Sequence, residues 1–229
     1  MTFTQSDIVR MEMRCYTSFG KDEVDVSPKG GRKEFRMLNM HKKLAKREEE
    51  GKIIRTGIVG VGQMGRGLVA QMALMKGIMP AIVADHTLEK VIKAFHNAGI
   101  SDEDIAVAKT LEEANRFMEQ GKYVATENSD FISQANLVEV AIDVTGVPEV
   151  GVKIAIDAMN NKKHVVMMDV ETDVVIGSYL KKLGDKNGVI YTGSAGDEPG
   201  AVMELYSFAR AMGMEVKVMG KGKNNKLDY

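Results

Sequence analysis

The 229-residue chain carries 31 Lys plus Arg against 32 Asp plus Glu, a formal net charge of −1, with hydrophobic residues at 44%. This composition excludes a wholly disordered chain, and the balanced charge leaves no general basic excess to neutralise nucleic-acid phosphates. One cysteine excludes an intrachain disulfide framework and a multi-cysteine zinc site.

The first residues, with Asp7, Arg10, Glu12 and Arg14, lack the apolar segment of a signal peptide. The most apolar stretch, 68–84, is interrupted by Gln71, Lys76, Gly77 and Pro80 and makes a poor membrane span. A soluble, cytoplasmic protein without nucleic-acid or membrane partners is therefore expected. Residues 1–36 have no sustained period, contain the breaker run Ser27-Pro28-Lys29-Gly30-Gly31, and form an arm of unclear structure. Over 37–50 the spacing Leu38–His41–Ala45 and Met40–Leu44 predicts a charged helix with a narrow apolar stripe, ended by Gly51.

After Gly51 short apolar runs alternate with helical periods, which predicts an α/β fold, a doubly wound parallel sheet of the Rossmann type over 51–193. Strands are predicted at 53–59 and 81–84, with Met64, Leu68, Met72 and Met75 marking the helix between them. Further helices are predicted at 87–98 and 110–120, and strands at 123–126, 138–144, 165–168 and 189–192. Pro148 opens a helix where its missing N–H costs nothing, and another helix is predicted over 173–186. Val202, Leu205, Tyr206, Ala209 and Met212 mark a last helix, followed by Gly213 and a strand at 215–219. Residues 194–229 begin a second domain that the chain does not finish.

Gly60, Gly62 and Gly65 make G-x-G-x-x-G where a strand ends and a helix begins. The first glycine permits the tight turn, the second lets a pyrophosphate approach, and the third brings helix and strand together. The helix start at Gln63 and Met64 offers free N–H groups to the phosphates. Asp85 ends the second strand at the position of a ribose-binding acid, which favours NAD over NADP, while His86 and Lys90 soften the repulsion of a 2′-phosphate. Thr145 and Gly146, at a later strand end, border the same crevice. Two polar strand ends, Met168-Asp169-Val170-Glu171-Thr172-Asp173 and Ala195-Gly196-Asp197-Glu198-Pro199-Gly200, share this rim. Their acids suit substrate hydroxyls, proton transfer or a divalent metal of unknown ligand set. Asp173, Asp197 and Glu198 also precede helices, where an acid can serve as a cap as readily as a substrate-side group, so Glu171 is the acid with the weakest structural explanation. Lys221 and Lys223 follow the last predicted strand and suit polarising a carbonyl. Catalytic candidates are thus Glu171, Asp197, Lys221 and Lys223.

The run Thr56-Gly57-Ile58-Val59-Gly60-Val61-Gly62-Gln63-Met64-Gly65 resembles the start of a homoserine-dehydrogenase-like oxidoreductase. With Asp143-Val144-Thr145-Gly146-Val147-Pro148-Glu149-Val150-Gly151, Lys163-His164-Val165-Val166-Met167-Met168, Ala195-Gly196-Asp197-Glu198-Pro199 and Gly220-Lys221-Gly222-Lys223-Asn224-Asn225, it resembles the branch of 1-deoxy-D-xylulose 5-phosphate reductoisomerase-like proteins. The resemblance spans about residues 37–229. It implies a Rossmann domain, a following catalytic domain, a nicotinamide cofactor, a homo-oligomer and hydride transfer on a small polar carbonyl or hydroxy substrate. The reductoisomerase activity of isoprenoid synthesis would further imply NADPH, a divalent metal and a sugar phosphate. Asp85 stands where such an enzyme wants a basic group, and Val170-Glu171 stands near where homoserine dehydrogenases carry Asn-Lys. A non-catalytic cofactor-binding module, or a fragment completed by a partner chain, is the remaining alternative.

Overall fold

The computed structural model describes residues 40–194 and 200–220. The predicted arm at 1–36 therefore lies outside the described residues. The charged helix α1 spans Met40–Glu49, and Gly51 ends it with φ +70°. It closes on the turn before β2: a Cβ on Gly77 would collide with the Leu44 carbonyl, and the Gly77 N–H donates to Glu48 Oε2 at 2.7 Å.

Seven parallel strands follow: β1 Ile54–Val59, β2 Ile78–Ala84, β3 Ile105–Val107, β4 Tyr123–Thr126, β5 Val140–Asp143, β6 His164–Met167 and β7 Tyr191–Gly193. Their spatial order is β3-β4-β2-β1-β5-β6-β7, so the chain winds outward in both directions from β1. The intervening helices are α2 Gln63–Leu74, α3 Leu88–Asn97, α4 Leu111–Glu119, α5 Asp130–Gln134, α6 Pro148–Asn160 and α7 Val170–Asn187, and α8 Gly200–Ala211 comes last. This is the expected Rossmann architecture. Its consequence for function is a crevice at the carboxyl end of β1, where the strand order reverses.

Alternation along β1 divides the core. Ile58 packs with Val69 and Met72 of α2 and with Val91 and Phe95 of α3. Val59 faces the opposite side, where Met118 of α4, Ile132 of α5, Ala155 and Met159 of α6, and Leu180 of α7 gather. Such two-sided burial explains why the strands read as continuous apolar runs. Pro80 lies inside β2, and the β1 pairing skips a residue there, from Thr56↔Pro80 to Gly57↔Ile82. β4 joins β2 only from Ile82 onward, so the missing proline N–H falls where no ladder needs it.

Tyr191 locks β7 beneath α7. Its Cβ lies 3.2 Å from the place a Gly184 Cβ would take, and its hydroxyl donates to Asp173 Oδ1 at 2.7 Å. Burial first, then the Asp173 carboxylate, pushes the tyrosine hydroxyl well above its ordinary range. Tyr191→Phe is expected to cost about 1 kcal/mol, since the exposed Asp173 regains water, and urea unfolding measures it.

Two sequence expectations are corrected. No strand forms at 215–219: the segment after α8 has no regular structure, and Val218 and Met219 are exposed. An extended run pairs only where a neighbouring strand accepts it, and none of the described strands lies beside this one. Helix α8 forms as expected, and along its apolar stripe Val202, Tyr206 and Ala209 are half-buried while Leu205 and Met212 are exposed. Finally, α7 begins at Val170 rather than 173, because Asp169 caps it by accepting the Glu171 and Thr172 N–H groups.

Candidate functional site

The glycine turn between β1 and α2 is the best-defined feature of the crevice. Gly60 has φ +97°, a conformation that side chains other than glycine adopt only with strain. Its N–H donates to the Ala84 carbonyl at 2.8 Å, tying the turn to β2. A Cβ at Gly60 would lie 2.8 Å from the Val144 carbonyl oxygen and 3.2 Å from Thr145 Cα. At Gly65 a Cβ would collide with the Gly60 carbonyl, whereas at Gly62 it would meet nothing within 4 Å. Two glycines are thus demanded by packing. The third borders open space at the N-terminus of α2, where no side chain caps the helix.

That helix end presents the Gln63 and Met64 backbone together with a partial positive charge. A pyrophosphate suits this cradle: it needs backbone donors, a closely approachable turn and no Cβ at Gly62. Thr145 lies beside Gly60, and Gly146 follows it in the same loop. The Thr145 N–H donates to Asp143 Oδ1 at 3.1 Å, and Thr145 Oγ1 accepts the Val147 N–H at 3.3 Å. Gly146 has φ +65°, which carries the chain over to Pro148 at the start of α6.

Asp85 lies beside the turn but is already engaged. Its Oδ2 accepts the Val61 N–H at 2.9 Å and its Oδ1 the Thr87 N–H at 3.1 Å. His86 Nδ1 sits 3.1 Å from the same Oδ1, and the Asp85 side chain is only 8% exposed. Beside it opens a cavity of about 320 Å³ lined by Val61, Gly62, Gln63, Arg66, Lys90 and Lys93. Three cations therefore border the side of the crevice next to β2. Arg66 is held by its Nε–H, which donates to the Gly62 carbonyl at 3.3 Å. Sequence reasoning missed Arg66 and Lys93. The signal was the one-turn spacing of Lys90 and Lys93 on α3, with Arg66 one turn into α2.

Of the catalytic candidates, only Glu171 lies among the described residues. It is exposed in the first turn of α7, at the carboxyl end of β6 and hence on the rim that carries the glycine turn. Asp197, Lys221 and Lys223 lie outside the described residues. Among the described residues, no three His, Cys, Asp or Glu side chains are grouped to hold a metal ion. No described helix is long and apolar enough to cross a membrane.

Residues 196–229 match the family model described as oxidoreductase DRL, catalytic domain. Over 139 residues the chain is 30% identical to a homoserine dehydrogenase of Bacillus subtilis (strain 168), covering 60% of this chain and 28% of that protein. The chain thus spans less than a third of that relative's length. Among solved structures it is similar to apo scyllo-inositol dehydrogenase from Lactobacillus casei, with a TM-score of 0.50, 13% identity, and coverage of 70% of this chain and 42% of the other. The same enzyme with NAD(H) and scyllo-inositol bound gives a TM-score of 0.49, 14% identity, and coverage of 71% and 42%. The structural likeness is one of fold. By its two sequence matches, the chain is similar to oxidoreductases, among them a homoserine dehydrogenase.

Proposed function

We propose that this chain supplies the dinucleotide-binding domain and the first part of the catalytic domain of an NAD(P)-dependent oxidoreductase acting on a small polar carbonyl or hydroxy compound. The observation that carries this reading is the asymmetry of the three glycines: Gly60 and Gly65 are closed by packing, while Gly62 is left open at a helix N-terminus. Packing does not require a glycine at the open position.

Gly62, Gln63 and Met64 would receive the pyrophosphate, with Thr145 and Gly146 beside the nicotinamide half. The bound nicotinamide supplies the hydride acceptor or donor. Around it the chain's task is to orient the dinucleotide and keep water from the reacting face. Glu171 is the proposed substrate-side acid, joined from the sequence by Asp197, Lys221 and Lys223. Glu171→Gln in the complete enzyme is expected to abolish turnover and leave dinucleotide affinity unchanged, as steady-state kinetics and a binding titration would show. Equal loss of both would remove Glu171 from this role.

The finer cofactor choice is proposed as NADP. Both Asp85 oxygens are occupied by backbone N–H groups, which reduces the repulsion that the sequence-based argument for NAD relied on. Arg66, Lys90 and Lys93 offer a 2′-phosphate the cations it needs. A second reading, a reductoisomerase-like enzyme of isoprenoid synthesis, is favoured by the match over 196–229. Strict dependence on a divalent metal and on a phosphorylated sugar would separate it from an ordinary dehydrogenase. A homo-oligomer in a reducing, cytoplasmic setting completes the proposal. Exposed Val174, Val175 and Tyr179 on α7 support the assembly, and sedimentation tests it.

Ligand-linked melting tests the dinucleotide reading directly. At 100 times its Kd a dinucleotide stabilises its host by about 2.7 kcal/mol, so the chain's melting temperature should rise by several degrees. No rise at millimolar cofactor would reject the reading.

A further inference from the structure

Asp143, the last residue of β5, is fully buried, and its Oδ2 is a buried polar atom without a hydrogen-bond partner. Three elements converge on it. Gly151 of α6 faces it with a bare Cα: a Cβ there would collide with Asp143 Oδ2 and lie 2.7 Å from Thr172 Oγ1 and 3.3 Å from Asp169 Oδ2. From the start of α7, Asp169 is 2% exposed and is satisfied by the Glu171 and Thr172 N–H groups and the Thr172 hydroxyl. That hydroxyl donates to Asp169 at 2.7 Å, so its proton is committed elsewhere. The Gly151 N–H is likewise turned to the Val147 carbonyl. Beyond Asp169 lie Asp173, which is exposed, and Tyr191, whose hydroxyl donates to Asp173, and neither is a cation. An anion at Asp143 would be a buried charge with an unpaired oxygen beside a second carboxylate, an arrangement proteins avoid by keeping the proton.

We propose that Asp143 is a positioning residue of the crevice: as a protonated acid buried beside Asp169 it accepts the Thr145 N–H through Oδ1 and keeps Val144-Thr145 packed against Gly60, and loss of the proton sets an anion against the Asp169 carboxylate, whose repulsion displaces Asp143 and the turn it carries. Burial first, and the nearby Asp169 charge after it, raise its titration above the ordinary carboxylate range, against the opposing hydrogen bonds from Thr145. Because the folded state holds the proton more tightly than the unfolded chain, this contribution to stability is complete at low pH and lost as pH rises through the folded-state value.

The effect on dinucleotide affinity rests on the function proposed above, but the effect on the turn does not. Amide NMR of the full chain across the acidic and neutral range tests the turn: the Thr145 and Gly146 signals should titrate with a midpoint above the ordinary carboxylate range. In Asp143→Asn that titration should vanish while the signals keep their low-pH positions. Dinucleotide affinity should fall about tenfold in Asp143→Ala and be rescued in Asp143→Asn, with its pH dependence flattened. Thr145 and Gly146 signals that stay constant across the range, or that titrate identically in the Asn variant, would overturn the inference whether or not dinucleotide binds. Equal affinity in the Ala and Asn variants would overturn the positioning role.

Discussion

Gly65→Ala is expected to abolish dinucleotide binding and damage the fold, whereas Gly62→Ala is expected to abolish binding alone. At Gly65 the added methyl would collide with the Gly60 carbonyl, so either α2 moves away from β1 or the turn changes shape. Overpacking of this kind costs about 1–3 kcal/mol, and a displaced turn loses its backbone donors as well. Gly62 has room for the methyl and an extended backbone, φ −63° and ψ −159°, that alanine adopts freely. Its variant should unfold within about 0.5 kcal/mol of the parent. Yet the methyl would occupy the place of the phosphate, lowering affinity at least about 100-fold, or about 2.8 kcal/mol. Urea unfolding and a fluorescence titration separate the two. Wild-type affinity in Gly62→Ala would show that the open position receives no ligand.

The second large effect concerns the cations beside β2. Arg66→Ala, Lys90→Ala and Lys93→Ala combined should raise the Kd for NADPH by about 10–100-fold, equivalent to about 1.4–2.8 kcal/mol. The range lies below the sum of three charge-assisted hydrogen bonds because all three side chains are exposed and screened by solvent. NADH affinity should change less than about threefold, since it brings no 2′-phosphate to the cavity. Added salt should weaken NADPH binding to the parent more than to the variant, because ions screen exposed charges beyond about 10 Å at 0.1 M. Equal losses for both cofactors would place these cations on the pyrophosphate instead.

The fold was legible in the sequence wherever a glycine, a proline or a two-sided apolar run left a mark. β4 over Tyr123–Thr126 and the opening of α6 at Pro148 were anticipated to the residue, because a breaker bounds each. β3, three residues on the sheet edge, and the five-residue α5 carry too few apolar positions to show a period. The failure at 215–219 is different in kind. Its alternation resembles a strand, but pairing depends on a neighbour that no local pattern reports.

The site divides in the same way. The close packing at Gly60 and Gly65 followed from spacing, since strand, turn and helix are contiguous in the chain. Asp85 was found but its state was not: the Val61 and Thr87 N–H groups that occupy it come from the turn geometry. The convergence of Asp143, Gly151, Asp169 and Thr172 joins three separated segments, and only packing brings them together. The capping role weighed for Asp173 belongs to Asp169, one turn earlier, because the helix captures Val170-Glu171-Thr172 as its first residues.

The most direct measurement is a parallel titration of the purified chain with NADPH and NADH, followed by reduced-cofactor fluorescence at 50 mM and 200 mM salt. Saturable binding of both, with NADPH tighter at least about tenfold at low salt and the gap narrowing at high salt, is the expected result. NADH binding as tightly as NADPH would contradict the role given to Arg66, Lys90 and Lys93. Binding of neither cofactor would contradict the crevice itself.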